Sequence, residues 1–532
     1  SFAPIALMPG GAGEFVGPIA VSVMLALGAS LMLSLTVVPA LAALAEERVP
    51  WLNRISKGWL AEGYRNRELA KRYEGFLRWS FAQPWRGVAL AMVLPVLGFY
   101  AATRLSEQFF PPAEREQFQI QLRLPQEASI RLTTETTQKA RALLLEDPAV
   151  VDVHWFAGKN APKFYYNMLA GDDGSAFYAQ AMVELKSVDG YFETINRLQC
   201  KLNQQFPESQ FVARQLEQGP PFAAPVEMYL YGEDFQELHA WGERLRGILA
   251  EVPGVTHTRT TLEDGLPKLS FVTNDTELRL AGLDPRSVAG QMQSNLEGAV
   301  GGSLLEATEQ LAVKVRVRDE ERATVGGVSS IHLLGSGAQS VPATAVGSFD
   351  LVPVVAAINR RDGVRVNKIQ GFVEAGLLPS VLLKEFEDRI AAEGLKLPSG
   401  MRIEVGGEAK ERNDAVGNLL SSIGILVVLM VATLVLSLRS FRLTVMIFAI
   451  AGLSAGTGFL GLWIFGYPFG FTAITGIMGL IGLAINTAII VLAGIQESPM
   501  AAAANRQAIR AVVMRNTRHI LATTLTTLIG FV

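Results

Sequence analysis

The chain has a single cysteine among 532 residues, Cys200, so no disulfide can form within it and its folded parts stand on packing alone. Histidine is nearly as scarce. His154, His239, His257, His332 and His519 lie far apart and show no metal-ligand spacing, and Met168, Met182 and Met228 are too sparse to mark a soft-metal exporter. No GxxxxGK loop occurs, which leaves direct use of ATP unsupported. No dense run of lysine or arginine is present, and a formal charge of -3 with a pI near 6.1 gives no sign of a nucleic-acid surface. A charged leader is missing from SFAPIALMPGGAGEF, so no secretory signal is visible. Charged residues make up only 18% of the chain against 49% hydrophobic, and the mean hydropathy of +0.27 is above that of soluble proteins. A membrane protein is the expectation.

Five stretches free of Asp, Glu, Lys and Arg are about long enough to cross a bilayer: Val16 to Leu44, Gly87 to Thr103, Val416 to Leu438, Leu443 to Gly466 and Phe471 to Gly494. A sixth begins at Ile520 and has 13 residues through Val532, short of the roughly 20 a span needs. Both ends therefore read as lying within a longer chain. The connection from Ala45 to Arg86 carries nine basic residues, among them Arg54, Lys57, Arg65, Arg67, Lys71 and Arg72, and belongs in the cytoplasm by the positive-inside rule. Counting onward, Arg439 to Arg442 and Ile495 to His519 fall on the same side, and both are basic. The segment from Arg104 to Ala415 then falls outside the cell interior.

That segment repeats a pattern four times: an extended run, an amphipathic helical run, a proline turn and another extended run. FQIQLRLPQ leads through TTETTQKARALLL and Pro148 to VVDVHWF, and AFYAQAMVEL through YFETINRLQCKLNQQ and Pro207 to SQFVARQ. PVEMYLYG leads through FQELHAWGERLRGILA and Pro253 to VTHTRTT, and NKIQGFVEAG through LPSVLLKEFEDRIAA and Pro398 to MRIEVGG. Proline stops each helix because it lacks the backbone donor and extends its predecessor. Paired strand–helix–strand units assemble as ferredoxin-like split sheets with both helices on one face. The second pair is interrupted by an insertion of about ninety residues, as the pattern of the sequence places it.

Two membrane-tethered split-sheet subdomains with an insertion in the second resemble the resistance-nodulation-division (RND) exporters, and local motifs follow that family's order. FAPIALMPGGAGEF before LTVVPALAAL is similar to the sixth span and its preceding turn, and FFPPAEREQFQIQLRLP to the exit from the seventh. VPATAVGSFDLVPVVAAINRRDGVRVNKIQG is similar to the return from the docking subdomain, while GLAINTAIIVLAG and RHILATTLTTLIG resemble the tenth and eleventh spans. The resemblance implies a helical transmembrane bundle with an α+β periplasmic domain. It divides the chain into the end of the fifth span and the sixth (1–44), a cytoplasmic connector (45–86), the seventh span (87–107) and a first porter subdomain (108–224). A second porter subdomain follows in two parts (225–261 and 353–414) around a docking subdomain (262–352). Spans eight to ten (415–494), another connector (495–519) and the start of the eleventh span (520–532) complete it.

Proton-driven transport needs ionisable groups within the membrane. In the family an acidic pair lies in the fourth span, which this chain does not contain, and a lysine in the tenth; here Asn486, followed by Thr487, stands at the lysine's position. Asn486 can hydrogen-bond carboxylates but cannot compensate their charge, so the resemblance implies altered coupling, unless the two residues merely hold helices together. Thr523 matches a threonine of the eleventh span that contacts the relay, although such hydroxyls commonly bond to their own helix. Gly476, Gly479 and Gly482 would open a groove for a close neighbouring helix. GLSAG, Gly452 to Gly456, has the letters of a nucleophile elbow but lies in a span, where it reads as helix packing.

Phe156, Phe164, Tyr165 and Tyr166 cluster in FAGKNAPKFYYNMLAGDDG between two strands of the first subdomain. Such rings line a pocket for diverse apolar ligands, as a mobile loop at this place does in the family, or else anchor the loop in the core. The resulting expectation is a proton-coupled inner-membrane exporter of small apolar or amphiphilic compounds, of the multidrug branch, and not an enzyme. It needs no cofactor and binds no nucleic acid. The resemblance implies a homotrimer in the lipid bilayer with a periplasmic adaptor (membrane fusion) protein and an outer-membrane channel. The alternatives are an uncoupled scaffold or receptor of the same fold, or a metal or lipid exporter of the superfamily.

Overall fold

The computed structural model describes residues 2–48, 67–169, 171–262, 265, 267–307, 309–336, 339–352 and 357–531. Arg54, Lys57 and Arg65 of the expected connector lie outside the described residues. The longer helices are α1 (Gly11–Arg48), α2 (Arg67–Ala82), α3 (Pro84–Ala102), α4 (Ile130–Leu145), α5 (Tyr191–Gln205), α6 (Phe235–Ala250), α7 (Pro285–Leu296), α8 (Pro379–Ala392), α9 (Gly407–Leu438), α10 (Phe441–Phe465), α11 (Phe471–Glu497) and α12 (Arg506–Phe531). Five of them, α1, α3, α9, α10 and α11, are long and apolar enough to cross a membrane, and they coincide with the five stretches read from the sequence. Their surfaces are apolar and open: Leu31, Met32 and Leu35 of α1 are all exposed, an arrangement stable in lipid and costly in water.

The basic stretch expected to be a connector before the eleventh span is already helical. Arg506, Arg510, Arg515 and Arg518 ride on the first half of α12, whose N-terminal residues Gln507 and Ala508 donate backbone N–H bonds to the Asn505 side chain. Good helix formers and an Asx cap continue the helix into the polar zone, where hydropathy alone sees a loop. Between α9 and α10 the chain turns in two residues. Arg439 adopts φ 47° and Ser440 caps α10 by accepting from Leu443 N.

The chain divides into two compact units, residues 1–260 with 362–532, and 261–361. In the first unit, β1 (Gln117–Arg123), β2 (Val150–Ala157), β3 (Tyr178–Leu185) and β4 (Gln210–Arg214) form an antiparallel sheet in the order β2-β3-β1-β4. Each strand–helix–strand unit thus contributes strands that are not neighbours. Alternation in β1 buries Phe118, Ile120 and Leu122 with Leu144 of α4 and Ile195, Leu198 and Leu202 of α5, while Gln119, Gln121 and Arg123 occupy the opposite face. Next come β5 (Val226–Tyr231) and β6 (Val255–Thr260), then the second compact unit.

That second unit holds α7, β7 (Lys268–Thr273), β8 (Ala299–Glu306), β9 (Glu309–Val315), β10 (His332–Leu334), β11 (Ser340–Pro342), β12 (Gly347–Val352) and β13 (Arg360–Arg361). β12 pairs β7, β10 pairs β11, and β8 and β9 make a hairpin exposed along its whole length; the core is Leu278, Leu283, Val288, Leu333, Ala343 and Val346. This compact unit runs to Arg361, whereas the sequence reading closes the docking subdomain at 352. Asn359 Nδ2, donating to Thr261 O at 3.3 Å, ties its two ends together.

Back in the first unit, β14 (Val364–Val373) and β15 (Arg402–Val405) join β5 and β6 in a five-stranded sheet, within which these four strands run β6-β14-β5-β15. Substituting β5, β6, β14 and β15 for β1 to β4 gives the order of the first sheet. The fourfold repeat of the sequence is therefore a repeat of topology. Ser129 and Asp234 cap α4 and α6 by accepting from Leu132 N and Glu237 N.

Candidate functional site

Helix α11 carries Gly476, Gly479, Gly482 and Asn486 at intervals of three or four residues, so they share one face. This stripe is open: a Cβ at Gly476 would meet nothing within 4 Å and one at Gly479 only the ring edge of Phe2 at 3.8 Å. Asn486 is exposed on that face and, among the described residues, has no side-chain hydrogen bond. Thr487 is turned differently. Its Oγ1 donates to Leu483 O at 2.9 Å, and its side chain lines an apolar cleft of about 460 Å³ with Ile450, Leu480, Val491 and Thr524. Thr523 Oγ1 donates to His519 O at 2.9 Å. Both hydroxyls are satisfied by their own helices, and the structure does not bring Thr523 to Asn486 by any hydrogen bond among the described residues.

Close helix approach occurs elsewhere. A Cβ on Gly98 of α3 would fall 1.7 Å from Gly456 O of α10, and one on Gly456 would fall 2.5 Å from Pro95 O. Gly456 is the last residue of GLSAG, whose reading as helix packing this contact supports. Gly98 was not singled out from the sequence, because only the docking of α3 on α10 distinguishes it from other glycines of the spans.

Of the four aromatic candidates, Phe156 is not on the loop. It is a residue of β2, opposite Gln180 of β3, because the alternating run VVDVHWFA extends the strand to Ala157. Tyr165 is buried at 8% exposure, donates its hydroxyl to Glu217 O at 2.9 Å and lies beneath the Arg115 guanidinium at 5.0 Å. Burial pushes its phenol up to about 12. Tyr166 accepts from Gly219 N at 2.9 Å and stacks on Phe15 of α1 at 5.5 Å between centroids. Phe164 is more than half exposed. The loop is thus pinned by two tyrosines, while the rings of Phe164 and Tyr166 remain exposed.

Two constellations escaped the sequence reading. On the sheet faces turned from the helices, Gln180 Nε2 donates to Gln119 Oε1 at 2.8 Å and its Oε1 accepts from Ala161 N at 2.8 Å. Where β4 meets β6 and β14, Gln210 Nε2 donates to Thr258 O at 3.3 Å. Arg123, Arg214 and Arg259 gather there with Phe177 and Phe372. The second constellation joins the membrane helices to the sheets. Glu408, buried in the first turn of α9, accepts from Phe109 N at 2.6 Å, while Arg412 pairs with Glu107 and Lys410 with Glu404. Phe15, Phe109, Phe110 and Phe471 form a connected ring cluster beside it, with centroids 4.7 to 6.4 Å apart. Alternation and charge counting give no signal for either constellation, since each draws on residues distant in sequence. Among the described residues, no group of three or more His, Cys, Asp or Glu comes together as a metal site.

Comparison with known proteins bears on the whole chain. The profile of the AcrB/AcrD/AcrF family matches residues 1–532. Similar relatives include the nickel-cobalt-cadmium resistance protein NccA of Alcaligenes xylosoxydans xylosoxydans, 24% identical over 100% of this chain and 49% of its own length. The cobalt-zinc-cadmium resistance protein CzcA of Cupriavidus metallidurans is 23% identical over 100% of the chain and 50% of its own. Multidrug resistance protein MdtC of Pectobacterium carotovorum subsp. carotovorum is 22% identical over 92% and 47%. Among solved structures, a heavy metal efflux pump superposes with a TM-score of 0.78 at 18% identity, covering 98% of this chain and 50% of that one. The chain spans about half the length of the curated relatives it matches.

Proposed function

Because the chain belongs to the AcrB/AcrD/AcrF family of RND transporters, multi-pass proteins of the bacterial inner membrane with a large periplasmic domain, we propose that it is the pumping half that handles and exports small organic solutes. Its two sheet units act as porter subdomains and the 261–361 insertion as a docking subdomain. The working assembly is a homotrimer with a periplasmic adaptor and an outer-membrane channel, driven by protons. The observation that carries the organic cargo is the face between the two sheets, where arginines and amide side chains lie near the partly exposed ring of Phe177; a flat amphiphile finds both a dispersion surface and hydrogen-bonding partners there. Asn486, on the open glycine stripe of α11, meets the relay by hydrogen bonding without a charge of its own, so coupling follows a route other than a lysine's.

A second reading, export of divalent metal ions, is favoured by the printed names of NccA and CzcA and of the heavy metal pump, and similarity supports it more strongly than it supports multidrug export. The local charge argues the other way, because three guanidinium groups repel a divalent cation. Expression of the complete open reading frame in a bacterium deleted for its own RND pumps separates the two. A several-fold gain in tolerance to amphiphiles such as bile salts, abolished by an uncoupler, is the expected result. A gain confined to nickel, cobalt, cadmium or zinc would make the metal reading the right one. No gain for either class would leave the scaffold alternative, to which Asn486 gives some support.

A further inference from the structure

We propose that His257 is a pH-released catch between the two sheets: neutral, it fastens α5 of the first to β6 of the second, and protonated it lets them part. This catch is independent of the class of cargo and so goes beyond the export reading. A stripe of amides makes the joint. Asn196, Gln199 and Asn203 lie three and four residues apart, so they share one face of α5. Asn196 is bonded twice to the backbone after β14, donating from Nδ2 to Ala375 O at 3.1 Å and accepting from Ala375 N at 2.8 Å. Gln215, after β4, accepts from Gly376 N at 3.1 Å, and Gln210 Nε2 donates to Thr258 O at 3.3 Å. At the other end of the stripe His257 Nε2 stands 3.0 Å from Asn203 Oδ1.

The count of hydrogens fixes the form of the ring. Gln199 Nε2 donates its two hydrogens to Phe211 O at 2.7 Å and Asn203 Oδ1 at 2.8 Å, and its Oε1 accepts from Ala213 N at 2.7 Å. No hydrogen is left for His257 Nε2, 3.4 Å away, so the ring itself donates from Nε2 to Asn203 Oδ1. The neutral tautomer therefore satisfies the joint. Burial penalises the charged ring, the Phe211 carbonyl favours it, and Arg259, two residues along β6, repels it; the balance holds His257 below the ordinary histidine range. Other charged groups on the packed elements are engaged or turned outward. Arg197 and Lys201 of α5 are held by Asp147, Arg246 of α6 by Glu243, and Arg214 of β4 donates to the carbonyls of Ala223 and Phe222. Glu193, Glu208, Glu251 and Glu374, at the ends of α5, β4, α6 and β14, are exposed. Among the described residues, no carboxylate pairs with the ring. Because the ring is depressed in the closed joint, its contribution is complete above the ordinary value of 6.5 and is lost as pH falls below it. Acid on the side of the membrane where the sheets lie releases the catch.

Ala375 N and Gly376 N report on the joint directly, because side chains of α5 and of the segment after β4 hold their protons. Hydrogen exchange, read by mass spectrometry on the product of the complete reading frame in neutral detergent and corrected for the intrinsic effect of pH, tests the proposal. Protection of these two amides should fall about three- to tenfold from about pH 7.5 to about pH 5.5, tenfold being the most that a group free to titrate near 6.5 can give one unit below it. Amides in the middle of β1 should keep their protection. His257→Gln retains a donor in place of Nε2 but takes no second proton, so its protection should be the same at both pH values. Constant protection in the unsubstituted protein overturns the proposal without reliance on any variant. So does an equal fall in His257→Gln, which would put the titrating group elsewhere, and so does a fall shared by β1, which would be a loosening of the whole unit. Export, or its absence in the tolerance assay, does not alter these readings, so the catch and the export reading fail separately.

Discussion

Gly98→Leu is expected to separate α3 from α10 and to lower stability by about 3 kcal/mol or more, the upper range for overpacking a closed interface. The reason is geometric. At Gly98 the added Cβ would stand 1.7 Å from a backbone oxygen of the neighbouring helix, and no rotamer change can move a backbone carbonyl. The helices must shift, which also breaks the tilted ring contact of Phe99 with Phe459 at 5.9 Å. Gly452→Leu is the control, because that glycine is on the same helix as Gly456 and its Cβ would meet nothing within 4 Å. Thermal unfolding in detergent, followed by tryptophan fluorescence, should show a large loss for Gly98→Leu and a change near zero for Gly452→Leu. Equal losses would mean that α3 and α10 are not in contact through these glycines.

Asp147→Asn is expected to loosen the first sheet unit by about 2 kcal/mol, the scale of charge-assisted hydrogen bonds whose cationic partners stay half exposed. Asp147 is 2% exposed and follows α4. It accepts from Arg197 Nε at 3.1 Å, Arg197 Nη2 at 3.0 Å and Lys201 Nζ at 3.1 Å, and so fastens the end of one helix to the middle of α5. The Arg197 hydrogen bonds hold its carboxyl well below the usual carboxylate range. A group depressed in this way contributes its full stability above the unfolded-state value, near pH 4 for aspartate, and loses that contribution as pH falls toward the folded-state value. Amide exchange in α5 should therefore accelerate roughly thirtyfold in Asp147→Asn at neutral pH, and the difference between the two proteins should shrink as the medium is acidified below about pH 4. A difference that grew on acidification would show that the carboxylate is not the stabilising form.

Sequence carried the spans and the sheet repeat because each depends on a local pattern: long apolar runs for α1, α3, α9, α10 and α11, and period-two alternation in stretches such as FQIQLRL. The split-sheet order follows from that repeat. What sequence could not carry is proximity between distant residues. The stripe of Gly476, Gly479 and Gly482 satisfied a spacing rule, yet the backbones that touch are those of Gly98 and Gly456, which no spacing connects. Phe156 looked like loop because Gly158 follows so soon, but a strand needs only the next alternating residue to continue. Tyr165 and Tyr166 were legible as loop aromatics that either line a pocket or anchor the loop, but their anchoring partners were not, since Glu217 and Gly219 come some fifty positions later in the chain. The arginine cluster was invisible for the same reason.

The account depends on the sheets lying outside the cytoplasm, and Cys200, the chain's single cysteine, exposed on α5, allows this to be measured without introducing a label. A membrane-impermeant maleimide applied to intact spheroplasts expressing the protein should modify Cys200 directly. In a Cys200→Ser background, Ala504→Cys, in the turn before α12, should react only after the membrane is permeabilised. The reverse pattern, with Cys200 protected until permeabilisation and position 504 open from outside, would contradict the account.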